Sequence, residues 1–128
     1  ANHLAQIAAT QALVGSQECV AEMRKSFDAR RKRMVQLLRS IEGVNCQEPK
    51  GAFYAFPDVS AFIGKKSPAG NILEDDVALA GYLVEKGVAL VPGSGFGCPG
   101  FARLSYASSM EDIESGLARM KQALEELG

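Results

Sequence analysis

Hydrophobic positions along this chain follow two periods, and the switches between them divide it into elements. Between residues 3 and 14, Leu4, Ile7, Ala8, Leu13 and Val14 predict a short alanine-rich helix that stops at Gly15. Ser16 suits an N-cap, with Glu18 in the first turn to favour the helix dipole. A long helix then runs to about Ile41 and is closed by Gly43, its stripe formed by Val20, Met23, Phe27, Met34, Leu37, Leu38 and Ile41. Arg30-Arg31-Lys32-Arg33 interrupts the stripe, so one or two arginines lie along or beside the apolar face. A long helix broken in its middle fits a connector that packs on a different body at each end.

Beyond Gly43 the period shortens. Val44-Asn45-Cys46 alternates as a short strand, Glu48-Pro49-Lys50-Gly51 turns the chain, and Ala52-Phe53-Tyr54-Ala55-Phe56 is a second, aromatic strand ended by Pro57 and Asp58. Residues 57 to 71, with Pro57, Gly64, Pro68, Gly70 and Asn71, read as a loop and as the most mobile part of the chain. A helix follows with Asp75 and Asp76 in its first turn, Val77, Ala80, Leu83 and Val84 inward, and Gly87 as its stop. Val88-Ala89-Leu90-Val91, bounded by Gly87 and Pro92, suits a strand buried on both faces. After a glycine-rich turn the chain alternates again. Ala102, Leu104 and Tyr106 fall on one face of a strand, and Phe101, Arg103, Ser105 and Ala107 on the other. In the last helix Ser108 and Glu111 form a capping box, and Ile113, Leu117, Met120, Leu124 and Leu127 make one stripe.

This order predicts an α/β (α+β) two-layer sandwich, a small mixed sheet with helices on one face and a long N-terminal connecting helix. Helices on one face leave the other bare, and Arg103 points out of it. A length of 128 residues supports one domain with a core, and a formal net charge of -1 predicts no polyanion partner. The basic run at 30–33 has no interleaved aromatics, so it reads as a solvated helix face with snorkelling stems and not as a nucleic-acid site. Cys19, Cys46 and Cys98 lack zinc-site spacing; they read as reduced thiols of a cytoplasmic protein, most of them core filler. No apolar run approaches the ~18 residues that span a bilayer, and no membrane partner is expected. His3 reads as an exposed end residue.

Two features hold candidate chemistry. A guanidinium fixed mid-strand is a planar, permanently charged fork suited to a carboxylate or phosphate, or else a surface charge paired with a nearby Asp or Glu. The glycine run 93–100 is no phosphate cradle on its sequence context, because it leads into a strand and lacks a following Gly-Lys-Ser/Thr. The residues alone leave two readings of the bare face open: part of a catalytic pocket, or a free-standing carboxylate-binding or protein-interaction module without catalysis.

Three motifs in order narrow the choice: Pro49-Lys50-Gly51-Ala52-Phe53-Tyr54-Ala55-Phe56, Gly87-Val88-Ala89-Leu90-Val91-Pro92-Gly93-Ser94-Gly95-Phe96-Gly97, and Arg103-Leu104-Ser105-Tyr106-Ala107. At this spacing the chain resembles the C-terminal part of class I pyridoxal-phosphate aminotransferases, most closely the bacterial aspartate aminotransferase branch, over nearly its whole length. The resemblance implies that Arg103 binds the substrate α-carboxylate bidentately, that Phe53 lines the substrate side of the pocket, and that Phe96 is a structural neighbour. It implies residues 1–14 as the end of a large-domain segment, 15–42 as the connecting helix and 43–128 as the small C-terminal domain. Pyridoxal phosphate and its Schiff-base lysine would belong to the parent's large domain, since Lys50, Lys65 and Lys66 match no cofactor lysine. No catalytic, cofactor-binding or metal residue is therefore expected here, and the fragment alone is expected to be inactive. Its implied partners are amino-acid and 2-oxo-acid substrates, its own large domain and a second copy in a homodimer.

Overall fold

In the computed structural model, which describes residues 2–128, the chain forms four helices and a three-stranded sheet, and three of the helices pack with the sheet around one core. The helices are α1 (His3–Val14), α2 (Glu18–Arg39), α3 (Asp76–Glu85) and α4 (Met110–Glu125). The strands are β1 (Tyr54–Ala55), β2 (Val91–Pro92) and β3 (Ala102–Ser105), in the order β1-β3-β2. Both pairings are antiparallel, so the sheet is not mixed as expected, although the two-layer arrangement stands. Alternation works on β3 as the sequence predicts: Ala102, Leu104 and Tyr106 are buried against the helices, and Arg103 faces the other way. The core draws Met34, Val35 and Leu38 from α2, Leu79 and Leu83 from α3, and Ile113, Leu117, Met120 and Leu124 from α4.

Helix α1 buries none of its residues, and Leu4, Ile7, Leu13 and Val14 are exposed. Val20 and Met23 of α2 are exposed too, so the expected stripe begins to pack only at Phe27. At the start of α2 the capping position falls to Gln17, while Ser16 Oγ accepts from the Glu18 N–H at 3.2 Å.

Several expected elements shrink because their backbone groups are used elsewhere. In 44–46 only Asn45 pairs, with Asp58, and the Cys46 carbonyl accepts from Arg39 Nε at 2.9 Å. The aromatic strand is reduced to Tyr54–Ala55 because Ala52 adopts φ +60°, a left-handed conformation that ends extension. The run 88–91 is not a doubly buried strand. Gly87, at φ +76°, turns the chain so that the Val88 N–H bonds back to the Leu83 carbonyl at 2.9 Å. Only Val91–Pro92 pairs, on a sheet edge where the missing proline N–H costs no ladder bond.

Three side-chain assignments also move. On α3 the buried stripe is Asp76, Leu79, Ala80 and Leu83, joined by Tyr82, whereas Val77 and Val84 face solvent. Ser-x-x-acid occurs twice in succession before α4, and the second copy is used: Ser109 Oγ accepts from the Asp112 N–H at 3.0 Å, so Ser108 is not the cap. Only Cys46 is core filler, and burial pushes its thiol pKa up; Cys19 and Cys98 are exposed. The 57–71 segment is a loop as expected, but it is fastened by a 3₁₀ turn at Ser60–Phe62 with buried Val59 and Phe62, and by paired Lys66–Gly128 backbone bonds of 3.0 Å.

The basic run is tied down on the protein itself. Arg31 pairs with Asp28 at 2.8 Å and with Glu48, Lys32 pairs with Asp28 at 2.7 Å, Arg33 with Glu114 at 2.6 Å, and Arg30 lies over the Phe27 ring. Hydrogen bonds from Lys32 and then Arg31 hold the Asp28 carboxyl below its usual range, and Arg31 does the same for Glu48. A carboxylate whose pKa is lowered by folding stabilises above its unfolded value, and that contribution is lost as pH falls through the folded one. The melting temperature therefore drops as pH falls below the ordinary values of 3.8 and 4.5. Thermal melts at stepped pH should show a shallower acid drop in Arg31→Met; the effect is modest because the pairs are solvent-screened.

Candidate functional site

Strand β3 delivers Arg103 to the helix-free face, and the register chooses its neighbours. Tyr54 pairs with Ser105 and Val91 with Arg103, which puts Tyr54 diagonally beside the arginine on the same face. The half-buried guanidinium lies 4.6 Å from the Tyr54 ring centroid and 4.5 Å from that of Phe96. Each such contact contributes about 0.5–2 kcal/mol, more as it is desolvated. Phe101 and Phe56 continue the aromatic surface, their rings stacked at 5.3 Å and 14°, and Phe56 meets Phe96 edge-on at 6.2 Å.

These rings engage the cation without taking up its hydrogen-bonding capacity. Arg103 has no carboxylate partner and no hydrogen-bond acceptor among the described residues. Among the described residues of this chain, therefore, no neighbouring Asp or Glu pairs with Arg103. What remains is a planar cation braced by aromatic rings, with a fork of N–H donors suited to a planar anion.

Phe96 reaches Arg103 because the glycine-rich segment folds as a 3₁₀ turn, Gly93–Phe96, closed by Gly97 at φ +73°. A methyl group on Gly93 would collide with the carbonyl oxygens of Cys98 and Phe101, so the turn is packed too tightly there for any side chain. The turn's amides are spent inside the chain: Gly93 N–H on Phe101 O at 2.8 Å, Cys98 N–H on Gly93 O at 3.0 Å, and Ser94 N–H on Asp76 Oδ2 at 2.7 Å. Those three donors are not available to a phosphate.

Of the residues singled out in the sequence, the structure brings Arg103 and Phe96 together. Phe53 is 40% exposed and lies against Tyr54, their rings tilted at 42° with centroids 4.2 Å apart, so it meets the group through Tyr54. Tyr54 and Asp76 were not anticipated. Period two already put Tyr54 on a single face with Phe56, but only the β1–β3 register shows that this is Arg103's face. A separate cleft of about 390 Å³ lies on the helix side, where Tyr106, Gly51 and Ala52 meet Arg24, Phe27 and Asp28.

The family described as "Aminotransferase class I and II" matches residues 2–120. The chain belongs to this aminotransferase family. It is 48% identical over 119 residues to an aspartate aminotransferase of Streptomyces avermitilis, covering 92% of this chain and 29% of that protein. It is also 48% identical over 126 residues to a probable aspartate/prephenate aminotransferase of Aquifex aeolicus, covering 96% and 30%. The crystal structure of the aspartate aminotransferase from Rhizobium meliloti superposes with a TM-score of 0.93 at 39% identity, covering 96% of this chain and 31% of that one. The chain thus spans about 30% of the length of the curated aminotransferases it matches.

Class I aminotransferases use pyridoxal phosphate. A Schiff-base lysine must lose its proton, which calls for a desolvated amine. Every lysine of this aminotransferase chain is exposed or half-exposed; Lys86 pairs with Glu126, which raises its pKa, and Lys32 and Lys121 are likewise in ion pairs. The residues present do not fit the cofactor.

Proposed function

We propose that this chain is the substrate-closing, C-terminal part of an aminotransferase that moves an amino group between aspartate or a related amino acid and a 2-oxo acid. The aspartate preference is supported by the names of its relatives. Within that enzyme Arg103 takes the substrate α-carboxylate, fork to fork. The observation that carries this reading is the ring-braced guanidinium with its donors free. A bidentate pair fixes two atoms of the substrate, which orients the Cα–H bond, and the flanking Phe53 and Tyr54 exclude water from it. Because the rings already hold Arg103, little side-chain entropy is lost on binding.

The remaining two-thirds of the enzyme supplies pyridoxal phosphate and its lysine. It covers the exposed Leu4, Ile7, Leu13 and Val14 of α1 and Val20 and Met23 of α2. In this reading residues 1–14 close the large domain, 15–42 connect and 43–128 form the mobile domain, within a cytoplasmic homodimer. Titration with pyridoxal phosphate, borohydride trapping and mass spectrometry test the division. The full-length protein should carry one adduct, on a lysine outside this chain, and the 128-residue chain should carry none and show no turnover. A stoichiometric adduct on Lys50, Lys65 or Lys66 with turnover would overturn it, and a full-length protein without any adduct would favour a carboxylate-binding module.

A further inference from the structure

Asp76 is a charged side chain only 3% exposed, and it takes part in no ion pair among the described residues. Its place in the fold gives it a task. It stands at the first position of α3, and its Oδ2 accepts from the Ser94 N–H at 2.7 Å, a bond across 18 residues to the turn that holds Phe96. The turn is otherwise held by the Gly93 and Cys98 backbone bonds, neither of which reaches α3, and by the edge contact of Phe96 with Phe56. Packing fixes the turn at Gly93, but Ser94, Gly95 and Phe96 are exposed, so burial does not fix the end that carries the ring. A charge-assisted bond accepted by a buried carboxylate is stronger than a neutral one.

We infer that Asp76 is a positioning residue for substrate-carboxylate recognition: it pins the Gly93–Phe96 turn to α3 and so holds the Phe96 ring against the Arg103 guanidinium. This inference rests on the assignment of Arg103 to the α-carboxylate. Without the tether the turn drifts, Phe96 leaves the cation, and the fork loses one of the two rings that fix its plane. The cost falls on substrates that present a carboxylate and spares amines that lack one.

The test uses the full-length enzyme with alanine and with ethylamine, its counterpart without a carboxylate, together with calorimetric binding of succinate. Asp76→Ala should weaken succinate binding and raise KM for alanine by about tenfold, the scale of losing one well-placed cation–ring contact, while kcat/KM for ethylamine stays within about twofold. Asp76→Asn keeps a carbonyl acceptor for the Ser94 N–H and should restore most of the loss. Phe96→Ala, at a 49% exposed position that folding does not depend on, should reproduce the selective loss, and Asp76→Ala with Phe96→Ala should lose no more than either alone. An equal fall for alanine and ethylamine in Asp76→Ala, or additive losses in the double variant, would overturn the inference. Arg103→Ala separates the two layers. If it leaves the alanine-to-ethylamine ratio unchanged, the carboxylate assignment itself fails; if it collapses the ratio and Asp76→Ala and Phe96→Ala do not, only the tether fails.

Discussion

Replacing Arg103 by alanine in the full-length enzyme lowers kcat/KM for the amino-acid substrate by about 10²–10³-fold, the scale of removing one partner from a desolvated, hydrogen-bonded charge pair. If Arg103 takes the α-carboxylate as proposed, KM and kcat should move together, because the fork would both bind the substrate and orient the bond that reacts. Arg103→Lys should recover little. An ammonium supplies the charge but neither the parallel pair of N–H donors nor a flat face for Tyr54 and Phe96. Steady-state kinetics decide the matter: a kcat/KM within about twofold of wild type for Arg103→Ala would remove this arginine from the substrate site.

The second large effect is on stability. Leu38 is fully buried in the core that α2 shares with α4, so Leu38→Ala should cost about 3 kcal/mol through lost burial and the cavity left behind. For a domain of this size that is a fall in Tm of roughly 10 °C. Met23 lies on the same helix four turns earlier but is exposed, and Met23→Ala should change stability by about 0.5 kcal/mol or less. The contrast, read by thermal melts of the 128-residue chain, locates where α2 begins to belong to this core. Equal effects at the two positions would mean that α1 and the start of α2 pack on it after all.

How far the sequence could be read depended on whether a local pattern had competition. The α4 stripe had none, and all five of its expected residues are buried. The β3 alternation likewise put Arg103 on the correct face without any knowledge of its partners. Competition explains the failures. On α3, Val77 and Val84 gave a stripe as plausible as the one used, and the fold chose the neighbouring stripe, which accepts a buried Asp76 because the Ser94 amide satisfies it. The strands at 44–46 and 88–91 follow from alternation and from a bounded apolar run, but strands need backbone partners, and Arg39 and the end of α3 claim those groups. Tyr54 was missed for the same kind of reason: its ring meets Arg103 across a register that no single segment encodes.

The most direct test of the central claim is a crystal structure of the full-length enzyme with a bound dicarboxylate such as succinate. The account predicts one carboxylate group facing Arg103 edge to edge, both oxygens at about 2.7–2.9 Å from guanidinium nitrogens, with Tyr54 and Phe96 still against the cation. A dicarboxylate bound elsewhere in the active site, with Arg103 paired instead to an Asp or Glu of the large domain, would contradict it.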